Sequence, residues 1–169
     1  MKGNHKAPQN TISKSNLLCA EGKPDLDLVW KTIQDEARQI SSSEHRLTAL
    51  IEDIFISRNS IACSVAARLS RKLAREDMTR DELLPLLEEI LVDHPELVSS
   101  MVSDLIAINE RDPACHSLTQ PLLYYKGFLA LATYRLGHRM WKNNRHDLAY
   151  YFQSLASEVF GVDIHPAAQ

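Results

Sequence analysis

Apolar residues return at every third or fourth position from Leu26 onward, and this one period governs what the chain can fold into. Such spacing gathers them on one side of successive α-helices rather than on alternate faces of strands. Leu26, Val29, Trp30, Ile33, Ala37 and Ile40 make the first stripe. Ser-Ser-Ser-Glu at 41–44 breaks it and offers Ser42 or Ser43 as the cap of a second helix carrying Leu47, Leu50, Ile51, Ile54 and Phe55. A third helix starts at Asn59 or Ser60, with Ile61, Val65, Leu69 and Leu73 inward and Arg68, Arg71 and Lys72 outward. Thr-Arg-Asp-Glu at 79–82 is a capping box that opens a helix through Leu83, Leu87 and Leu91, with Pro85 near its start. Asp93 caps the next helix and Pro95 sits in its first turn. After an interruption at 109–117, one long helix is expected from about Thr119 through Phe128, Leu131, Tyr134 and Trp141. A last helix spans about Arg145 to Phe160 and stops at Gly161, a natural helix terminator. Only Val162, Asp163, Ile164 and His165 alternate as a strand would. The expected fold is all-α, a bundle of about seven helices with a short C-terminal extended segment.

Composition sharpens this. Five glycines and seven prolines among 169 residues leave few turns, so the elements are long. A chain that is 44% hydrophobic and 24% charged fits a soluble globular domain. A net charge of −3 gives no basic field to attract nucleic acid or an anionic membrane. No apolar run reaches the roughly 18 residues of a membrane span. Residues 1–24 are polar and irregular, without the apolar core of a secretory signal, and read as a flexible leader on a cytoplasmic protein.

Chemistry is harder to find. Cys19, Cys63 and Cys115 are odd in number and far apart, unlike a disulfide framework or a zinc site. Cys63 falls on an apolar face as a small core residue, and the Cys115-His116 pair lacks the ligand count of a metal site. Asp112 precedes Pro113, which drives it out of the α region. It either ends one helix and caps the next turn, or is a fixed carboxylate for a cationic group such as a substrate amine. Arg135, His138, Arg139, Lys142, Arg145 and His146 read as a solvated basic face. Tyr124, Tyr125 and Phe128 read as core or interface, as do Tyr150, Tyr151 and Phe152. Asp163 and His165, two apart, would project to one side of a strand as half of a metal site or a catalytic dyad, but two groups cannot make a zinc site and no nucleophile sits nearby.

Four ordered segments carry a resemblance. "DLVWKTIQDEAR" at 27–38, "RDPAC" at 111–115, "TQPLLYYKGFLALATYRLGHRMW" at 119–141 and "LAYYFQSLASEVFGVDIHPAA" at 148–168 together resemble the bacterial serine acetyltransferases. The resemblance implies a helical domain over 25–161. It also implies that 162–169 is the first rung of a left-handed parallel β-helix of hexapeptide repeats. A solenoid needs about three coils to bury its own core, so this rung is not expected to fold as a β-helix alone. The implied activity is transfer of an acetyl group from acetyl-CoA, as co-substrate rather than tightly bound cofactor, to L-serine for cysteine synthesis. By the same resemblance Asp112, with Pro113, binds serine, and Asp163 orients a catalytic histidine. That histidine and the CoA groove are expected beyond residue 169, so no cofactor-binding or metal-binding residue is expected in 1–169, and His165 takes a structural role. Implied partners are a second copy of the helical domain and O-acetylserine sulfhydrylase, whose docking tail also lies beyond 169. The chain alone is expected to be inactive. The alternative is a non-catalytic helical module for oligomerisation or regulation.

Overall fold

The computed structural model describes Leu17, Leu18 and residues 22–169. Cys19 and most of the expected leader lie outside the described residues. The described part of that segment packs on the domain: Leu17 is buried, and its carbonyl accepts from the Asp25 amide at 3.0 Å.

Eight α-helices run through the described residues, rather than the seven or so expected: α1 (Leu26–Ser43), α2 (Thr48–Ile51), α3 (Ile61–Leu73), α4 (Arg80–Asp93), α5 (Pro95–Arg111), α6 (Thr119–Tyr124), α7 (Lys126–Lys142) and α8 (His146–Phe160). The extra helix comes from the segment read as one long helix. Tyr125 is extended there (φ −86°, ψ 107°) and separates α6 from α7. No strand forms among the described residues, and 162–165 are irregular, without a ladder partner.

Local chemistry explains most boundaries. The Asp25 carboxylate caps α1 by accepting from Leu28 N at 3.0 Å. α1 runs through the serines, whose hydroxyls bond back to Gln39 O and Ile40 O, so Ser42 and Ser43 cap nothing. Glu44 takes that role, accepting from the Arg46 amide at 3.1 Å. The expected second helix is a 3-10 turn at His45–Leu47, the single turn α2, and a π turn at Glu52–Ile56. It still buries Ile51, Ile54 and Phe55. Ser60 caps α3, and the Thr79–Glu82 capping box opens α4, with Glu82 accepting from Thr79 N at 2.8 Å. Between α4 and α5 the cap residue is His94, not Asp93, and no side chain bonds there. Pro85 lies in the interior of α4 and is not confined to its first turn. Gly161 closes α8 at φ 74°, a conformation that costs glycine little.

One core unites the helices, with Ile33, Phe55, Leu69, Leu83, Met101, Leu122, Leu136 and Phe152 at its centre. α7 and α8 pair most closely as an antiparallel hairpin, and α3 packs on α4. Its tight turn includes Asn144 at φ 59°, a left-handed position that asparagine tolerates better than most residues. Cys63 is only half-buried, so it is not a core residue, whereas Cys115 is buried.

Arg68 departs most from expectation. It is 7% exposed rather than outward, and its guanidinium donates to Leu122 O at 3.1 Å and to Leu123 O. Burial lowers its pKa, the nearby Arg71 lowers it further, and Tyr124 acts in the opposite direction. An arginine remains charged despite such a shift. Replacing Arg68 with alanine is expected to cost about 2–3 kcal/mol, because two charge-assisted bonds go and two carbonyls lose their donor. Urea unfolding of the variant against the parent measures this.

Asp53, in the π turn, ties three arginines, one in the following loop and two on helices. Arg58 lies at 2.9 Å, Arg71 of α3 at 3.0 Å and Arg80 of α4 at 2.6 Å. Burial alone would raise its pKa, but Arg80, Arg71 and Arg58 together hold it below the ordinary 3.8. A depressed carboxyl stabilises the fold above its unfolded pKa, and that contribution disappears as pH falls through the lower folded value. Asp53→Asn is therefore expected to cost about 1–2 kcal/mol near neutrality. In urea titrations across pH, the deficit should shrink only below the ordinary 3.8.

Candidate functional site

The α5–α6 connection contains the first candidate. Asp112 closes α5 by donating its backbone N–H to Ile108 O at 2.9 Å. Its side chain accepts from the Ala114 amide at 2.9 Å, a local turn around Pro113. The capping role expected of Asp112 is therefore present. Its second carboxylate oxygen accepts no hydrogen bond from the described residues, and Asp112 lines a mainly apolar cleft of about 530 Å³ with Ile108, Arg111, Tyr125, Phe128 and Leu131. Pro113 is exposed at the tip of the turn. Burial, then Cys115 and Asp112, raises the Tyr125 phenol pKa, so this cleft wall carries a neutral hydroxyl near pH 7.

This turn is secured from a distance. Glu36 of α1 accepts from Leu118 N at 3.1 Å and Thr119 N at 2.9 Å, at the start of α6. Burial raises the Glu36 pKa, and the Thr119 and Leu118 amides oppose that rise. Cys115 is buried beneath the turn and donates to Ser117 O at 3.3 Å.

The second candidate follows α8. Asp163 is exposed, and Gln153 of α8 donates Nε2–H to its Oδ1 at 2.6 Å. Asp163 and Gln153 line a polar groove of 530 Å³ with Tyr150, Ser154, Ser157 and Glu158. Asp112 and Asp163 thus belong to separate clefts and do not converge within the described residues. His165 is occupied otherwise: its Nδ1 accepts from Ala167 N at 3.1 Å, and its ring meets Trp141 and Tyr150 edge-on at 5.4 and 5.6 Å. A neutral imidazole engaged that way has no free Nδ1 lone pair.

The basic face is largely engaged. Arg135 pairs with Asp104, Arg139 with Glu96 at 2.6 Å, and the His146 ring stacks on Trp141 at 4.2 Å. His138 Nδ1 lies 2.7 Å from Pro166 O, an atom that can only accept, so this nitrogen bears the proton. Tyr134 donates its hydroxyl to Ala168 O at 2.6 Å. Two helices of the bundle therefore hold segment 162–169 in a defined path. Among the described residues no helix is long and apolar enough to cross a membrane.

Comparison with known proteins gives this geometry a context. The family model described as serine acetyltransferase, N-terminal, matches residues 29–133. The chain belongs to the serine acetyltransferase family. It is 42% identical to a probable serine acetyltransferase 4 of rice (Oryza sativa subsp. japonica) over 163 residues, 96% of this chain and 51% of the relative. A crystal structure of Neisseria gonorrhoeae serine acetyltransferase in complex with serine superposes with a TM-score of 0.82 at 38% identity, covering 83% of this chain and 58% of that one. A serine acetyltransferase in complex with CoA superposes at 0.83 and 34% identity, covering 85% of this chain and 61% of that one. The chain spans about half the length of the curated relatives it matches.

Periodicity missed two residues of the site region. Glu36 lies in the run Asp-Glu-Ala-Arg, which reads as an ordinary charged helix surface. Gln153 is uncharged and ten residues from the aspartate it holds, and no spacing rule marks it. Replacing Glu36 with alanine is expected to destabilise the fold by about 2–3 kcal/mol, since two backbone N–H groups lose a charged acceptor. Hydrogen exchange should quicken at the Leu118 and Thr119 amides, and unchanged exchange there would contradict the clamp.

Proposed function

We propose that this chain is the helical half of a serine O-acetyltransferase that uses acetyl-CoA and L-serine. The observation that carries the reading is the presentation of Asp163. Its carboxylate is exposed and held by one oxygen, and its second oxygen accepts no hydrogen bond from the described residues, just past a helical domain whose residues 29–133 match the family model. The domain boundaries are the helical unit 25–161, the leader before it, and the first rung of a β-helix at 162–169.

In the proposed mechanism Asp163 accepts from the imidazole N–H of a histidine supplied by the rest of the enzyme. This fixes the ring tautomer and stabilises the imidazolium that forms. The histidine removes the serine hydroxyl proton as that oxygen attacks the thioester carbonyl of acetyl-CoA. The C–S bond breaks, and CoA leaves as a thiolate that takes up a proton, giving O-acetylserine and CoA. Asp112 receives the serine ammonium, and Pro113 keeps Asp112 out of the helical region. The solved relatives holding serine and CoA support this choice of substrates. The reading also includes a cytoplasmic location, association of helical domains with one another, and docking of O-acetylserine sulfhydrylase on the complete enzyme.

Residues 1–169 assayed alone should form no O-acetylserine, whereas a fusion continued past Gln169 by the matching remainder of the rice relative should form it. Within that fusion, Asp163→Asn should lower kcat by about 10²–10⁴-fold, the usual worth of general-base help. Asp112→Ala should raise the KM for serine and leave that for acetyl-CoA alone. Product from the 169-residue chain, or full activity in Asp163→Asn, would overturn the reading. A helical module that associates without catalysis would leave the fusion inactive as well.

A further inference from the structure

Asp163 needs something to aim it. It follows α8 on irregular backbone with no ladder partner among the described residues, and its side chain is exposed. An exposed aspartate on irregular backbone has several staggered rotamers within reach. Among the described residues one hydrogen bond restricts it, the 2.6 Å bond from Gln153 Nε2 to Oδ1. The carboxylate can only accept, so the orientation of the Gln153 amide is determined by its partner.

Gln153 is well placed for this. It stands in the middle of α8, beside Phe152, which is fully buried in the core. The left-handed turn at Gly161 reverses the chain, so Asp163 returns alongside a residue ten positions earlier. A neutral amide also matters chemically. A lysine or arginine in this position would hold the carboxylate equally well, but its charge would cancel the negative potential that stabilises an imidazolium. An amide donor directs one oxygen and leaves the charge of the group intact.

We infer that Gln153 is a positioning residue for acetyl transfer: its side-chain amide fixes the plane of the Asp163 carboxylate so that Oδ2 faces the groove where the imidazole N–H docks. This rests on the acetyltransferase reading above. The groove beside Asp163, lined by Tyr150, Ser154 and Ser157, is the space the ring would occupy.

The test uses the active fusion described above, with Gln153→Ala and Gln153→Met. Methionine keeps the length of glutamine without a charge but cannot donate to a carboxylate. Both variants should lose at least about tenfold in kcat, the equivalent of one bond to a charged group. The KM values for serine and acetyl-CoA should stay within about twofold, as expected for an interaction that acts on the transition state. A merely structural glutamine would be replaced by methionine without loss, and wild-type kcat in Gln153→Met overturns the inference. The acetyltransferase reading fails separately, when Asp163→Asn itself leaves kcat unchanged. In the 169-residue chain, the Gln153 side-chain amide signals in a ¹⁵N-correlated NMR spectrum should move on Asp163→Ala. Signals that do not move would mean that the contact is absent in solution and would also overturn the inference.

Discussion

A helix of six residues cannot sustain itself, because nucleating it costs more than its few internal hydrogen bonds return. α6 is such a helix, and the protein holds it at both ends with charges of the appropriate sign. The Glu36 carboxylate takes the Leu118 and Thr119 amides at its start, and the Arg68 guanidinium takes the Leu122 and Leu123 carbonyls at its end. An anion at the N-terminus and a cation at the C-terminus also match the helix dipole. Both side chains come from elements far away in sequence, α1 and α3. Their clamp therefore joins the first half of the bundle to the α5–α7 region, and the Asp112 turn hangs from the clamped helix. The break at Tyr125 depends on it too, since carbonyls freed where a helix stops inside a protein require donors.

How much of this the sequence discloses depends on the kind of interaction. Apolar burial obeys a period, so the stripes through Val29, Ile33 and Ala37, or through Ile61, Val65, Leu69 and Leu73, are visible and are buried as expected. Local caps obey short spacings, so the Thr79–Glu82 box and Gly161 are visible as well. The serine run misleads because a hydroxyl can bond backward into the preceding turn as readily as it caps the next one. Long-range polar contacts have no period. Arg68 nonetheless left a trace: it falls seven residues after Ile61 and three after Val65, on the apolar face of α3. A charge in that register demands a buried partner. Local spacing marks Asp112 and Asp163 but admits ordinary turns, and only the family resemblance attaches a specific expected role to each.

Electrostatics divides the molecule into two kinds of site. Around Asp53, three guanidiniums surround one carboxylate and fasten the π turn to α3 and α4. At Asp112 and Asp163 the partners are neutral amides, the Ala114 backbone N–H and the Gln153 side chain. A carboxylate saturated by cations is spent on the fold. One held by a neutral donor through a single oxygen keeps its charge and its other oxygen available for a ligand, whereas both oxygens of Glu36 are taken by backbone amides.

Segment 162–169 has one more implication. Tyr134 and His138 grip the carbonyls of Ala168 and Pro166, while the His165 ring rests edge-on against Trp141 and Tyr150. Such an attachment removes the swivel that a linker would provide. The path of 162–169 therefore takes its bearing from α7 and α8, and the segment turns with the bundle as a single lever rather than tumbling beside it.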